Sequence, residues 1–168
     1  MFLADVCHLT TKDFTTLEIM QARAFGNDGF MQSILNGKLC RAIVMLQYQI
    51  PETIVTVGSL VSYRIDDRPV ETRVVANEDY HGLLGLLPVI PISHPHGLAI
   101  LGVAAGSSVL LQPHEGIAER ITVVEVLNQP EAMRRGVRRK GKIGEAAGGK
   151  VVPPLDRTLR EEIGLVFA

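Results

Sequence analysis

The sequence predicts an α+β fold: a short N-terminal antiparallel helical hairpin followed by an antiparallel β domain with one short helix. Three observations predict it. Apolar residues recur at spacings of three and four from Thr11 to about Leu46, the period drops to two beyond Pro51, and "ISHPHGLAILG" (92–102) breaks the strands with a helix start.

The hairpin comes in two pieces. Phe14, Leu17, Met20 and Ala24 share one helical face, with Thr10 or Thr11 placed to cap the start. "FGNDG" (25–29) is turn chemistry, and Leu35, Leu39, Ala42, Ile43 and Leu46 then line a second helix, weakened by Gly37. Pro51 closes the helical region. "TIVTVGSLVSYRI" (53–65), "DDRP" (66–69) and "VETRVVA" (70–76) read as strand, turn and strand, a β-hairpin. "GLLGLLPVIPI" (82–92) is apolar but carries two prolines, which confines it to an edge strand or extended wall. After the corner, "SSVLLQP" (107–113) and "AERITVVEVL" (118–127) supply two more strands.

At 168 residues the chain supports one main core, and 46% apolar against 21% charged residues, with net charge −1, excludes disorder by composition and a broadly polycationic protein. Cys7 and Cys40 form no CxxC or other metal-ligand spacing, which fits a reduced, cytoplasmic protein. No apolar run reaches the roughly 20 residues needed to span a bilayer, and no basic-then-apolar leader opens the sequence.

In the corner, Ser93 or His94 is placed to cap a helix, Pro95 suits its first position because proline lacks an amide proton, and Gly102 closes it. Leu98, Ile100 and Leu101 then face the core. Two imidazoles, His94 and His96, fall short of the three or four ligands of a stable metal site, which would need His81 and His114 to converge on them in the fold. No GxSxG elbow, P-loop or GxGxxG occurs, and the carboxylate pairs Asp66-Asp67, Glu78-Asp79 and Glu161-Glu162 read as turn or solvated-face residues. We therefore expect no enzyme, no metal and no cofactor.

The C-terminal stretch changes character. "MRRGVRRKGK" (133–142) holds Arg134, Arg135, Arg138, Arg139, Lys140 and Lys142, a cationic run suited to nucleic-acid phosphate or an acidic partner surface, or equally to a solvated linker. Beyond it, Leu155, Leu159 and Ile163 suggest a short amphipathic helix. The expected organisation is 1–50 helical hairpin, 51–132 β domain and 133–168 basic linker with terminal helix.

The order helical hairpin, β-hairpin, extended wall, "ISHPHGLAILGVAAGSSV" and "ERITVVEVL" resembles the GreA/GreB transcription elongation factor family, through about residues 11–132. "LCRAIVMLQYQIPETIVTVGSLVSYRI" and "VVEVLNQPEA" are similar to its Rnk branch, the regulators of nucleoside diphosphate kinase. The resemblance implies an FKBP-like β domain, a short coiled coil and binding to RNA polymerase near its secondary channel. Contacts would come from the corner, Ser93, His94, Pro95 and His96, and from Asp28, the only carboxylate at the hairpin tip. A helix of about 18 residues spans only roughly 27 Å, so the resemblance implies docking without efficient stimulation of transcript cleavage. Two other readings remain beside it. The FKBP-like fold suggests a peptidyl-prolyl isomerase, which wants an aromatic-lined pocket that no Trp, three Tyr and five Phe furnish poorly. The basic run suggests a nucleic-acid-binding interaction module.

Overall fold

The computed structural model describes residues 2–3, 7–23, 29–77, 87–112 and 116–136. The chain divides into the units Met1–Val137 and Arg138–Ala168, and every described element belongs to the first.

Thr10 caps helix α1 (Thr11–Ala22) by accepting the Asp13 N–H at 3.0 Å, which satisfies one of the first-turn amides. Leu17 is fully buried, while Phe14 and Met20 pack partly against the core. Helix α2 (Gly29–Arg41) buries Met31, Ile34 and Leu35, again at helical spacing, and Gln21 Nε2 donates to Asn36 Oδ1 at 2.7 Å across the hairpin. The arms hold 12 and 13 residues, rising about 18 and 20 Å.

The second helix stops at Arg41 rather than reaching Leu46. Ala42–Met45 form a strand, β3, paired in parallel with β2 (Cys7–Thr10), a strand the helical pattern concealed. The reason lies in β2: Cys7, Leu9 and Thr10 are buried, and buried backbone amides and carbonyls need partners that only a second strand supplies in series. The β-branched pair Ile43-Val44 favours that pairing, and both side chains remain exposed.

The main sheet has six strands in the order β1 (Phe2–Leu3), β7 (Ser108–Leu111), β8 (Glu119–Asn128), β4 (Leu60–Ile65), β5 (Glu71–Ala76), β6 (Val89–Pro91). The predicted hairpin is β4–β5, antiparallel from Leu60↔Val74 to Tyr63↔Glu71. Asp66 takes the left-handed conformation at the turn, with φ 48°. The first half of the predicted strand 53–65 is instead a sequence of turns. There Gly58 sits at φ 95° and the Thr56 N–H is taken by Ser59 Oγ at 3.0 Å, so local side-chain bonding replaces the ladder. The proline-bearing segment does supply an edge strand, β6, but it runs parallel to β5 in a sheet expected to be antiparallel throughout. A connection through residues 77–88 makes a parallel return possible where a tight turn could not. Residues 82–86 of the predicted stretch 82–92 lie outside the described residues.

Helix α3 (Pro95–Ile100) packs on β6, β7 and β8, with Leu98, Ala99, Ile100 and Leu101 at 0% exposure. One cluster joins Leu17, Ile34 and Leu35 of the hairpin to α3 and to Val61, Val75, Val109, Ile121 and Val123 of the sheet. Beyond β8 the chain forms a further short helix, α4 (130–136), which the polar string "QPEAMRRG" had not suggested.

Gly97 allows α3 to lie on β6, because a Cβ there would fall 2.1 Å from the Pro91 carbonyl oxygen and 2.8 Å from its carbon. Neither backbone atom can give way. Gly97→Ala should lower unfolding stability by roughly 3 kcal/mol or more in urea titrations, as overpacked cores do. Gly136→Ala, helical and with nothing within 4 Å, should leave stability unchanged or raise it by up to about 1 kcal/mol.

Candidate functional site

The histidine corner is built by local chemistry. His94 holds an extended backbone, its Nδ1 accepts the His96 N–H at 3.3 Å, and Pro95 takes the first position of α3. Of the two capping residues the sequence allowed, the cap is therefore His94. The His94 and His96 rings meet edge to face with centroids 5.0 Å apart. Ser93 and Pro95 flank them at the half-buried to exposed rim of the corner.

Two remote segments complete the site. His96 Nε2 lies 2.8 Å from Glu119 Oε2 at the start of β8, and Arg68, from the β4–β5 turn, donates to Glu119 Oε1 at 2.9 Å. The turn is pinned to β8 by Asp66, whose N–H donates to the Arg120 carbonyl at 2.8 Å while its carboxylate accepts the Arg120 N–H at 2.9 Å. Glu119 and Arg68 carry no local signal, lying 23 and 26 or more positions from the imidazoles in sequence, and only the register of β8 on β4 brings them there.

Burial pushes the His94 pKa down, the neighbouring His96 pushes it further, and Glu119 opposes both. His94 is thus a neutral, cap-forming imidazole at neutral pH. Among the described residues no three His, Cys, Asp or Glu side chains converge to hold a metal, and no helix is long and apolar enough to cross a membrane. His81 and His114, like Asp28, lie outside the described residues.

The basic run divides. Arg135 is half-buried, and its guanidinium donates to the carbonyls of Gln47 at 3.2 Å and Ile50 at 2.9 Å, so its donors are engaged inside the fold. Arg134 is exposed and lines a polar cleft of about 350 Å³ with Lys12, Val57, Gly58, Asn77, Pro130 and Glu131. Arg138, Arg139, Lys140 and Lys142 lie outside the described residues.

A six-stranded curled sheet wrapped on one short helix, preceded by a helical hairpin, is an architecture seen in transcription elongation factors. The structure is similar to a prokaryotic transcription elongation factor GreA/GreB from Nitrosomonas europaea, with 25% identity, 74% of this chain and 100% of that chain covered, and a TM-score of 0.56. It also aligns with the transcription factor Gfh1 at 18% identity, covering 75% of this chain and 100% of that one with TM-score 0.36, and with Thermus aquaticus Gfh1 at 16%, 74%, 100% and 0.38, likenesses too remote to carry weight. No protein-family profile and no curated protein matches the sequence.

For His94 the sign of the pH effect follows from the depressed pKa. The stability contributed by the neutral ring is fully present above the unfolded value of about 6.5 and is lost as pH falls toward the folded value. In NMR titrations the His94 ring should show a midpoint below the ordinary histidine range. His96→Asn should raise that midpoint by removing a like charge, and Glu119→Gln should lower it.

Proposed function

We propose that this chain is a regulator of transcription elongation that binds RNA polymerase near the secondary channel, a GreA/GreB-type factor of the Rnk branch with an FKBP-like domain and a short coiled-coil hairpin. The observation that supports this most is the match to the Nitrosomonas europaea elongation factor over the whole of that chain. In this reading Ser93, His94, Pro95 and His96 form the docking corner and Asp28 contributes at the hairpin tip. The corner suits a docking role: its cap, glycine contact and Glu119–Arg68 anchors hold polar rings at the surface without committing them to the core.

Arms of about 18 and 20 Å carry a single tip carboxylate a short distance only, so the factor occupies its site without efficient stimulation of transcript cleavage. The basic run acts as a secondary contact to nucleic acid or an acidic surface through Arg134, Arg138, Arg139, Lys140 and Lys142, while Arg135 serves the fold.

The test is competition. Labelled GreB-type factor bound to RNA polymerase should be displaced by this protein, and cleavage of a backtracked transcript should fall rather than rise. A variant lacking 138–168 should still displace it, with a shallower dependence on salt because fewer cations are engaged. Loss of displacement in that variant would move the interface to the basic tail, and absence of displacement by the full chain would reject the reading.

A further inference from the structure

A second polar assembly lies away from the histidine corner, where the hairpin, the 47–59 segment and α4 meet. Asp13, in the first turn of α1, is 1% exposed, and its Oδ2 accepts the Val57 N–H at 3.5 Å. Glu131, in α4, is 5% exposed, and its Oε2 accepts the Thr56 hydroxyl at 2.7 Å. Because Thr56 has a single hydroxyl proton and gives it to Glu131, Ser59 must donate to Thr56 Oγ1 at 3.0 Å while its own oxygen takes the Thr56 N–H. Two carboxylates, from helices at opposite ends of the described chain, thus grip neighbouring residues of one loop.

Among the described residues neither carboxylate is in an ion pair. The charged groups facing the junction are Lys12, beside Asp13 on α1, and Arg134, which shares the cleft with Glu131; Thr10 on β2 and Asn77 at the end of β5 add only neutral groups. Two buried like charges without a bonded cation are unfavourable.

We propose that Asp13 and Glu131 form a pH-operated latch that releases α4, with Arg134 and Arg135, from the 47–59 segment when the junction loses its proton. This concerns the protein's own conformational equilibrium and does not depend on the identity of its partner.

Burial, with a smaller push from Glu131, raises the Asp13 pKa from 3.8 to about 6, against the opposing pull of the Thr10 and Val57 bonds and Lys12. Release of α4 withdraws Glu131, one of the groups that raise the Asp13 pKa, which then falls toward its ordinary value. The closed state therefore binds the proton more tightly, so closure is strongest at low pH and fades as pH rises through about 6. Linkage between those two values weakens closure by at most about tenfold between pH 5 and 7.5. What holds α4 at higher pH is the remaining set of bonds: Gln129 Nε2 to the carbonyls of Pro51 and Ile54, each 2.8 Å, and Arg135 to Gln47 and Ile50.

NMR on the full chain tests the latch. The Val57 amide signal should titrate with a midpoint near 6, and Glu131→Gln should shift that midpoint down. Hydrogen-exchange protection of the 131–136 amides, corrected for intrinsic rates, should fall by up to about tenfold from pH 5 to 7.5, while the β4–β8 ladder keeps its protection. In Asp13→Asn both pH dependences should vanish. A Val57 midpoint near 4, a midpoint unmoved by Glu131→Gln, or α4 protection independent of pH in the unsubstituted protein would overturn the proposal. Equal loss of protection in the ladder would also overturn it, since that is global unfolding. Should Asp13→Asn fail to fold, Glu131→Gln alone decides between the outcomes.

Discussion

The fold turns on one buried amine. Helix α3 is six residues long and buried from Gly97 to Ile100, and a helix that short satisfies few of its own carbonyls. Lys38, at 0% exposure in α2, donates its Nζ to the Leu101 carbonyl at the carboxyl end of α3 and lies 3.8 Å from the thiol of Cys7 in β2. One side chain thereby ties the hairpin, the parallel strand pair and the corner together. Burial drives its pKa down, an effect the Cys7 sulfur partly offsets. The position at a helix carboxyl terminus, where the backbone dipole is negative, favours a cationic amine there.

Around that amine the backbone closes with little slack. His8 N–H donates to the Gly102 carbonyl at 2.9 Å, Gly102 N–H to Val55 at 2.8 Å and Val55 N–H to Val103 at 3.0 Å, so the segment after α3 acts as a ladder rung between β2 and the 53–59 loop. Gly102 must be glycine twice over. Its φ is 78°, and a Cβ would stand 2.6 Å from the Cys7 sulfur and 2.9 Å from the His8 carbonyl oxygen. The hairpin is thus no independent appendage: Leu17, Ile34 and Leu35 share a core with α3, and withdrawing them would strip both the apolar cover and the donor from its carboxyl end.

What could be read in the sequence was what local chemistry decides. Helix α3 was legible because Pro95 and a capping side chain at 94 act within one turn, and the β4–β5 hairpin because alternation and "DDRP" are adjacent. Strand β3 was not, because Ala42–Met45 continue the apolar face of α2 for one more turn; only the burial of β2, more than 30 positions earlier in sequence, decides against a helix. Helix α4 escaped for a similar reason. Its anchors are carbonyls and a hydroxyl of the 47–59 segment, 75 to 88 residues away, so a helix that crosses the expected boundary at 132/133 is fastened by Gln129, Glu131 and Arg135. In the candidate site the two imidazoles were visible and their Glu119–Arg68 support was not.

The same division explains why the corner is rigid while α4 is poised. The corner rests on backbone constraints: Gly97 against Pro91, the His94 cap, and a turn locked to β8 by two bonds between Asp66 and Arg120. The cap needs the neutral His94 ring, which burial already favours. The α4 contact instead rests on side chains meeting a loop, among them the buried Glu131 carboxylate, with Asp13 of α1 bonded to the next loop residue. A surface meant to present fixed polar groups is best built from backbone geometry, which is indifferent to pH. An element joined through a buried acid answers to it.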